Sequence, residues 1–166
     1  MLPSYSSNGS DWIKTLERRF ELSHEERFQL LEHVSDGYVE VYGNTLEEAF
    51  ENVGFSLFAM MTEIEDVEPR RKIDLEVVGE DLEALLFEWL SELIAQFDIT
   101  HLLMSKFKIK NIKSSKKGTS LSAEAWGEEL DLRKHVSKVD VKAATYDRME
   151  IIEKPNNIII RYVVDL

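Results

Sequence analysis

A chain of 166 residues with 43% hydrophobic content can bury one sizeable core, and its length favours a single domain. The absence of cysteine excludes disulfide frameworks and thiolate metal sites and fits a reducing cytoplasm. A net charge of −12, from 32 acids against 20 bases, argues against a direct grip on nucleic acid; it suits a basic protein partner or a hard cation, with solubility the commoner reason.

The start, "MLPSYSSNGSDW", lacks the basic-then-apolar order of a signal peptide, and no apolar run is long enough to span a bilayer. The expectation is a cytoplasmic protein with no membrane contact. Residues 1–26 are expected to form an amino-terminal extension, and 27–166 the folded domain. Within the extension, Ser10 is placed to cap a short helix whose Trp12, Ile13, Leu16 and Phe20 share one face. Docking on the main body and a separate contact element both fit that pattern. From Arg27, "RFQLLEHVSDGYVEVYG" predicts two strands bending at Asp36-Gly37. "NTLEEAFENVGFSLFAMMT" carries a capping box from Thr45 to Glu48 and an apolar stripe through Phe50, Val53, Leu57 and Phe58, which predicts an amphipathic helix.

"KIDLEVVGE" alternates as a strand, and Asp81 opens a second helix with Leu85, Leu86, Trp89, Leu90 and Leu93 on its apolar side. "KFKIKNI" and "TSLSAEAWG" predict a hairpin about "SSKKG", and "DLRKH" a helical turn. "VDVKAATY", "MEIIEK" and "IIIRYVVDL" read as strands, the last two joined through Pro155-Asn156-Asn157. The fold class expected is α+β, with two amphipathic helices packed on one antiparallel or mixed sheet.

No glycine-rich phosphate loop, Gly-x-Ser-x-Gly elbow or His-Glu-x-x-His helix is present, which weakens an independent-enzyme reading. His24, His33, His101 and His135 fall at no ligand spacing, and packing or surface roles are the more frequent outcome. Asp36 at a bend and Asp165 beside the chain end at Leu166 are where a scaffold projects oxygens. A turn-forming Asp and a solvated terminal Asp are the more common case. Lys142, inside "VDVKAATY", reads as a solvated or edge-guarding residue, or as a cation set beside an anion. Lys106, Lys108, Lys110, Lys113, Lys116 and Lys117 form a basic patch, either edge protection or a docking surface.

The stretches "EHVSD", "YGNTLEEAFENV", "LFAMMT", "VEP", "EDLEALLFEWLSELI", "WGEELDLRKH", "VKAATY" and the terminal "VVDL" occur in an order that resembles the archease family across about Arg27 to Leu166. Archeases activate RtcB-type RNA ligases in tRNA splicing and RNA repair. The resemblance implies a divalent-metal site, generally calcium, built from Asp36, Asp165 and Leu166. It also places Lys142 on the functional surface. Where archeases carry an early His-Thr-Ala-Asp motif, this chain reads His33-Val34-Ser35-Asp36, with two central substitutions that leave the carboxylate in place, and Leu166 stands where Ile is common.

What the resemblance implies is a protein cofactor rather than an enzyme. It would contact the ligase transiently, promote guanylylation of the ligase's histidine with GTP, and allow repeated turnover. Two other classes fit some of the residues. One is a metal-dependent phosphoester hydrolase using the same carboxylates, and the other a general acidic chaperone or binding module.

Overall fold

The computed structural model describes residues 27–31 and 36–166. The helix expected around Trp12, together with His24 and the His33-Val34-Ser35 triplet, lies outside the described residues.

Strand β1 (Phe28–Leu30) pairs antiparallel with β2 (Asp36–Gly43), Phe28 opposite Val41 and Leu30 opposite Val39. The expected bend at Asp36-Gly37 is not there, because both residues already belong to β2. Gly37 answers a packing need instead. A Cβ at that position would sit 2.9 Å from Val164 Cγ2 and 3.2 Å from Met60 Sδ.

Helix α1 (Leu46–Met61) starts as its sequence demands. Thr45 Oγ1 accepts from the Glu48 amide at 3.1 Å, and Glu48 Oε2 accepts from the Asn44 amide at 3.2 Å. The helix is wrapped by structure on most sides. Phe50, Val53, Leu57 and Phe58 are fully buried, and even Asn52 and Ser56 are inside. Both polar residues find partners there: Asn52 Nδ2 donates to Tyr42 O at 2.7 Å, and Ser56 Oγ donates to Val53 O at 2.8 Å. A short 3-10 turn, Ile64–Asp66, leads to β3 (Arg71–Gly79).

Helix α2 (Leu82–Thr100) is capped by Asp81, whose Oδ1 accepts from the Ala84 amide at 2.8 Å, and ends at His101 in the left-handed region with φ 57°. Its buried side is Leu85, Leu86, Trp89, Leu90 and Leu93, as the periodicity predicts, with Ile94 in addition, while Leu82 and Phe97 at the two ends of the same stripe are only partly buried. Trp89 Nε1 donates to Phe50 O at 3.0 Å and ties α2 to α1 inside the core, where both residues are fully buried.

β4 (Leu102–Ser115) and β5 (Gly118–Glu129) form the expected hairpin, with Lys116-Lys117 as a two-residue loop and Gly118 at φ +125°. β6 is only Ala143–Ala144. β7 (Glu150–Lys154) and β8 (Asn157–Asp165) are joined by Pro155-Asn156, so Asn157 belongs to the strand rather than to the turn.

Among the described residues all strand pairs are antiparallel, and they form two sheets rather than one. A five-stranded sheet has the order β1-β2-β8-β6, with β7 also on β8, and a three-stranded sheet has the order β3-β5-β4. Helix α1 packs against β2 and β8 of the first and β4 of the second, while α2 lies chiefly on β3. The α+β class stands, with the second sheet as its refinement. No helix among the described residues is long and apolar enough to cross a membrane.

The stretch "VDVKAATY" alternates like a strand yet yields only two paired residues. Its partner edge is already taken, because β7 occupies β8 from Asn157 to Arg161. Of the four residues left, Tyr162 to Asp165, Asp165 and Val164 pair with Ala143 and Ala144, and the Thr145 amide donates to Val163 O at 3.3 Å. The lysine patch also resolves on this scaffold. Lys72 and Lys110 lie 3.3 and 3.7 Å from the Glu124 carboxylate, and Lys106 Nζ sits 4.7 Å over the Trp126 ring. Lys106 and Lys110 of the patch are thus part of a mixed-charge sheet face.

Candidate metal centre at the carboxyl terminus

β2 and β8 pair without interruption from Asp36 opposite Asp165 to Gly43 opposite Ile158. This register is dictated by burial. Val39, Val41, Ile160, Tyr162 and Val164 turn into the core with essentially no exposure. A slip by one residue would turn all of them out. Asp36 therefore lies on the opposite face, directly across from Asp165.

Two residue pairs further along that outer face, Glu40 stands opposite Arg161. Arg161 Nε donates to Glu40 Oε2 at 2.6 Å and its Nη1 to Glu150 Oε2 at 2.6 Å, which ties β2, β8 and β7 together. Glu40 Oε1 also accepts from Tyr42 OH at 2.5 Å and Gln29 Nε2 at 3.1 Å. Burial works against ionisation of Glu40, but these hydrogen bonds hold its carboxyl below the usual range. Burial and the Glu40 charge together push the Tyr42 phenol up.

The chain end is held by packing. The Leu166 side chain is partly buried against the core, and its Cδ2 would lie 3.7 Å from a Cβ on Gly37. Anchoring Leu166 by its side chain leaves the terminal carboxylate next to the exposed Asp165.

Lys142 arrives along an irregular segment fixed at three points. The first is a polar cluster at the end of β5. His135 is buried; its Nδ1 accepts from the Asp131 amide at 2.9 Å, so Nε2 carries the proton toward Glu128 Oε1 at 2.9 Å. Glu128 also accepts from Lys134 Nζ at 2.6 Å and from the Glu68 amide at 3.1 Å. Burial opposes ionisation of Glu128, yet these hydrogen bonds lower its pKa to about 2. The second point is the Lys138 amide donating to Met61 O at 3.0 Å, and the third is the Lys142 amide donating to Asp165 O at 2.8 Å. The Lys142 side chain is exposed, and Ala143 rather than Lys142 is the ladder partner of Asp165.

Asp36, Asp165, Leu166 and Lys142 thus meet at one corner of the five-stranded sheet. Their donors toward a cation are all oxygens, two side-chain carboxylates and the chain terminus, the chemistry that hard divalent ions take. Like charges placed directly opposite on paired strands repel, and a cation between them reverses the sign. Among the described residues no group of three or more His, Asp or Glu side chains gathers.

Beside the pair lies a cleft of about 520 Å³, lined by Leu30, Tyr38, Met60, Lys138, Val139 and Leu166 among others. It is assembled from four distant parts of the chain, and nothing in the local patterns announces it. Lys138 is held at its edge by Glu63 at 3.2 Å.

The family model described as "Archease protein family (MTH1598/TM1083)" matches residues 28–166. The chain belongs to the archease family. It is 39% identical to protein archease from Sulfurisphaera tokodaii over 85% of this chain and 99% of that one. Against the Pyrococcus abyssi protein archease it is 42% identical over 78% of this chain and 91% of that one. The solution structure of Methanobacterium thermoautotrophicum protein 1598 superposes with a TM-score of 0.75 at 35% identity, covering 85% of this chain and 99% of that chain.

Proposed function

We propose that this archease is a protein activator of an RtcB-type RNA ligase, and that it holds a divalent cation, calcium by preference, between Asp36, Asp165 and the Leu166 carboxylate. The observation that carries the reading is the register that sets Asp36 across from Asp165 at the very end of the chain, in a member of this family. A cation held there supplies positive charge that offsets phosphate oxygens at the ligase's nucleotide site.

The chain's own residues do the rest. The Asp36 and Asp165 carboxylates hold and orient the ion, and the Leu166 side chain keeps the terminus in place. Lys142, pinned through its main chain to Asp165, presents an ammonium group to the partner. A net charge of −12 draws a basic, RNA-binding ligase toward the acidic protein. Activation requires that the complex favour the guanylylation-competent state of the ligase over its resting state.

The test is product formed by a limiting amount of the same organism's ligase, with GTP, divalent metal and broken tRNA halves. The ligase alone is expected to stop near one turnover, to cycle with the wild-type protein, and to stop again with Asp165→Ala. If the wild type leaves an active ligase unchanged, the activator reading fails. Release of phosphate from simple phosphoesters by the protein alone would replace it with the hydrolase reading.

A further inference from the structure

The cleft beside the carboxylates is open and apolar at its mouth, where Leu30 is 61% and Val139 37% exposed. A hollow of this size and character is the kind of surface that receives apolar side chains. The chain carries a segment of matching chemistry. In Trp12 to Phe20, "WIKTLERRF", the residues Trp12, Ile13, Leu16 and Phe20 cluster on one side of a 3.6-residue period, with Arg19 bordering the stripe next to Trp12. The segment precedes the family match, which starts at residue 28, so the shared domain does not account for it.

We propose that the segment Trp12 to Phe20 seats its apolar side in this cleft, with Arg19 toward Asp36 and the terminal carboxylate. Reach favours the pairing. The described chain begins at Arg27, whose carbonyl accepts from the Tyr42 amide at 2.7 Å, and Leu30 and Leu31 just beyond it already line the cleft. At about 3.4 Å per residue, Arg27 lies roughly 10–14 Å along the strand from those positions. The seven steps from Phe20 back to Arg27 span up to about 25 Å, more than the return requires. A nine-residue helical segment is about 14 Å long, a length commensurate with such a cleft.

Charge favours it as well. The cleft is lined by Asp36, by Leu166 with its terminal carboxylate, and by Lys138, which Glu63 pairs at 3.2 Å, while residues 12–20 hold Lys14, Arg18 and Arg19 against Glu17 alone, in a chain of net charge −12. Exposed opposite charges contribute little to affinity, but they fix which way round an apolar segment lies.

The cysteine-free chain makes the test direct. In the full-length protein, Leu16→Cys is paired either with Val139→Cys at the cleft mouth or with Lys113→Cys on the exposed part of β4. Both are oxidised at low protein concentration with no ligase present. Docking raises the effective concentration of one thiol at the other, so the Leu16→Cys/Val139→Cys disulfide is expected to close intramolecularly about tenfold faster or more than the control pair. Adding Trp12→Ala and Phe20→Ala to the fast pair is expected to remove the difference. Equal rates for the two pairs would overturn the proposal. Disulfide-linked dimers in place of the internal bridge would overturn it too, by giving the cleft to a second copy. Neither result depends on ligase activation.

Discussion

Replacing Asp165 by asparagine has an unusual expected signature, because the carboxylate stands directly across from Asp36. Two like charges in opposed positions on an antiparallel pair cost about 0.2–1 kcal/mol, with the low end appropriate for an exposed residue. Without divalent metal, Asp165→Asn is therefore expected to keep the wild-type melting temperature or exceed it by up to about 4 °C, given about 2–4 °C per kcal/mol in a chain of this size. Calcium reverses the order. An ion at about a hundred times its dissociation constant stabilises the native state by about 2.7 kcal/mol, or roughly 5–11 °C. The wild type should show this shift and Asp165→Asn should lose it. The assay is thermal unfolding of both proteins in chelator and in excess calcium. A calcium-dependent shift that survives in Asp165→Asn refutes the metal placement. A clear drop of the variant in chelator refutes the repulsion argument, since it would mean that the carboxylate makes a favourable bond in the apo protein.

Three further outcomes follow from the interior. Ser56 Oγ donates to Val53 O and lies 2.6 Å from Tyr162 OH, so Tyr162→Phe leaves Ser56 satisfied and should cost about 1 kcal/mol. Ser56→Ala strands a fully buried phenol and should cost about 1–3 kcal/mol; equal losses in denaturant titration would contradict the donor order assigned here. Glu128 has a folded pKa of about 2, below the ordinary glutamate value, so its contribution is complete above about pH 4.5 and fades as the pH falls toward 2. Glu128→Gln should therefore lower the denaturation midpoint at pH 6 and narrow its gap to the wild type near pH 2; a gap unchanged by pH would rule out the ionised carboxylate as the cause. Gly54→Ala gains about 1 kcal/mol of helix propensity, but its Cβ would come within 2.8 Å of the Phe107 ring, which is packed against Phe58 and Trp89. Overpacking of about 1–3 kcal/mol should win, and a variant more stable than wild type would show that the ring can move aside.

The sequence alone determined the elements whose signals are local. The Thr45 and Asp81 caps, the stripes of α1 and α2, the turns about "SSKKG" and Pro155-Asn156-Asn157 and the alternation of β5 and β8 all come from neighbours within a few residues, and the structure only trims the turns to Lys116-Lys117 and Pro155-Asn156. Family motifs added Asp36, Asp165, Leu166 and Lys142 as candidates, and β2 and β8 bring them to one corner. The tertiary structure decided what depends on a partner far along the chain. Asp36-Gly37 looks like a turn in sequence, but Gly37 is small because Val164 and Met60 crowd it. "VDVKAATY" has the period of a strand, but β7 had already taken most of the β8 edge. The division into two sheets and the cleft walled by Leu30, Met60, Val139 and Leu166 have no local signature at all. Periodicity shows which face of an element seeks burial, whereas the surface that receives it is set only when distant segments compete for the same hydrogen-bonding edges and the same core volume.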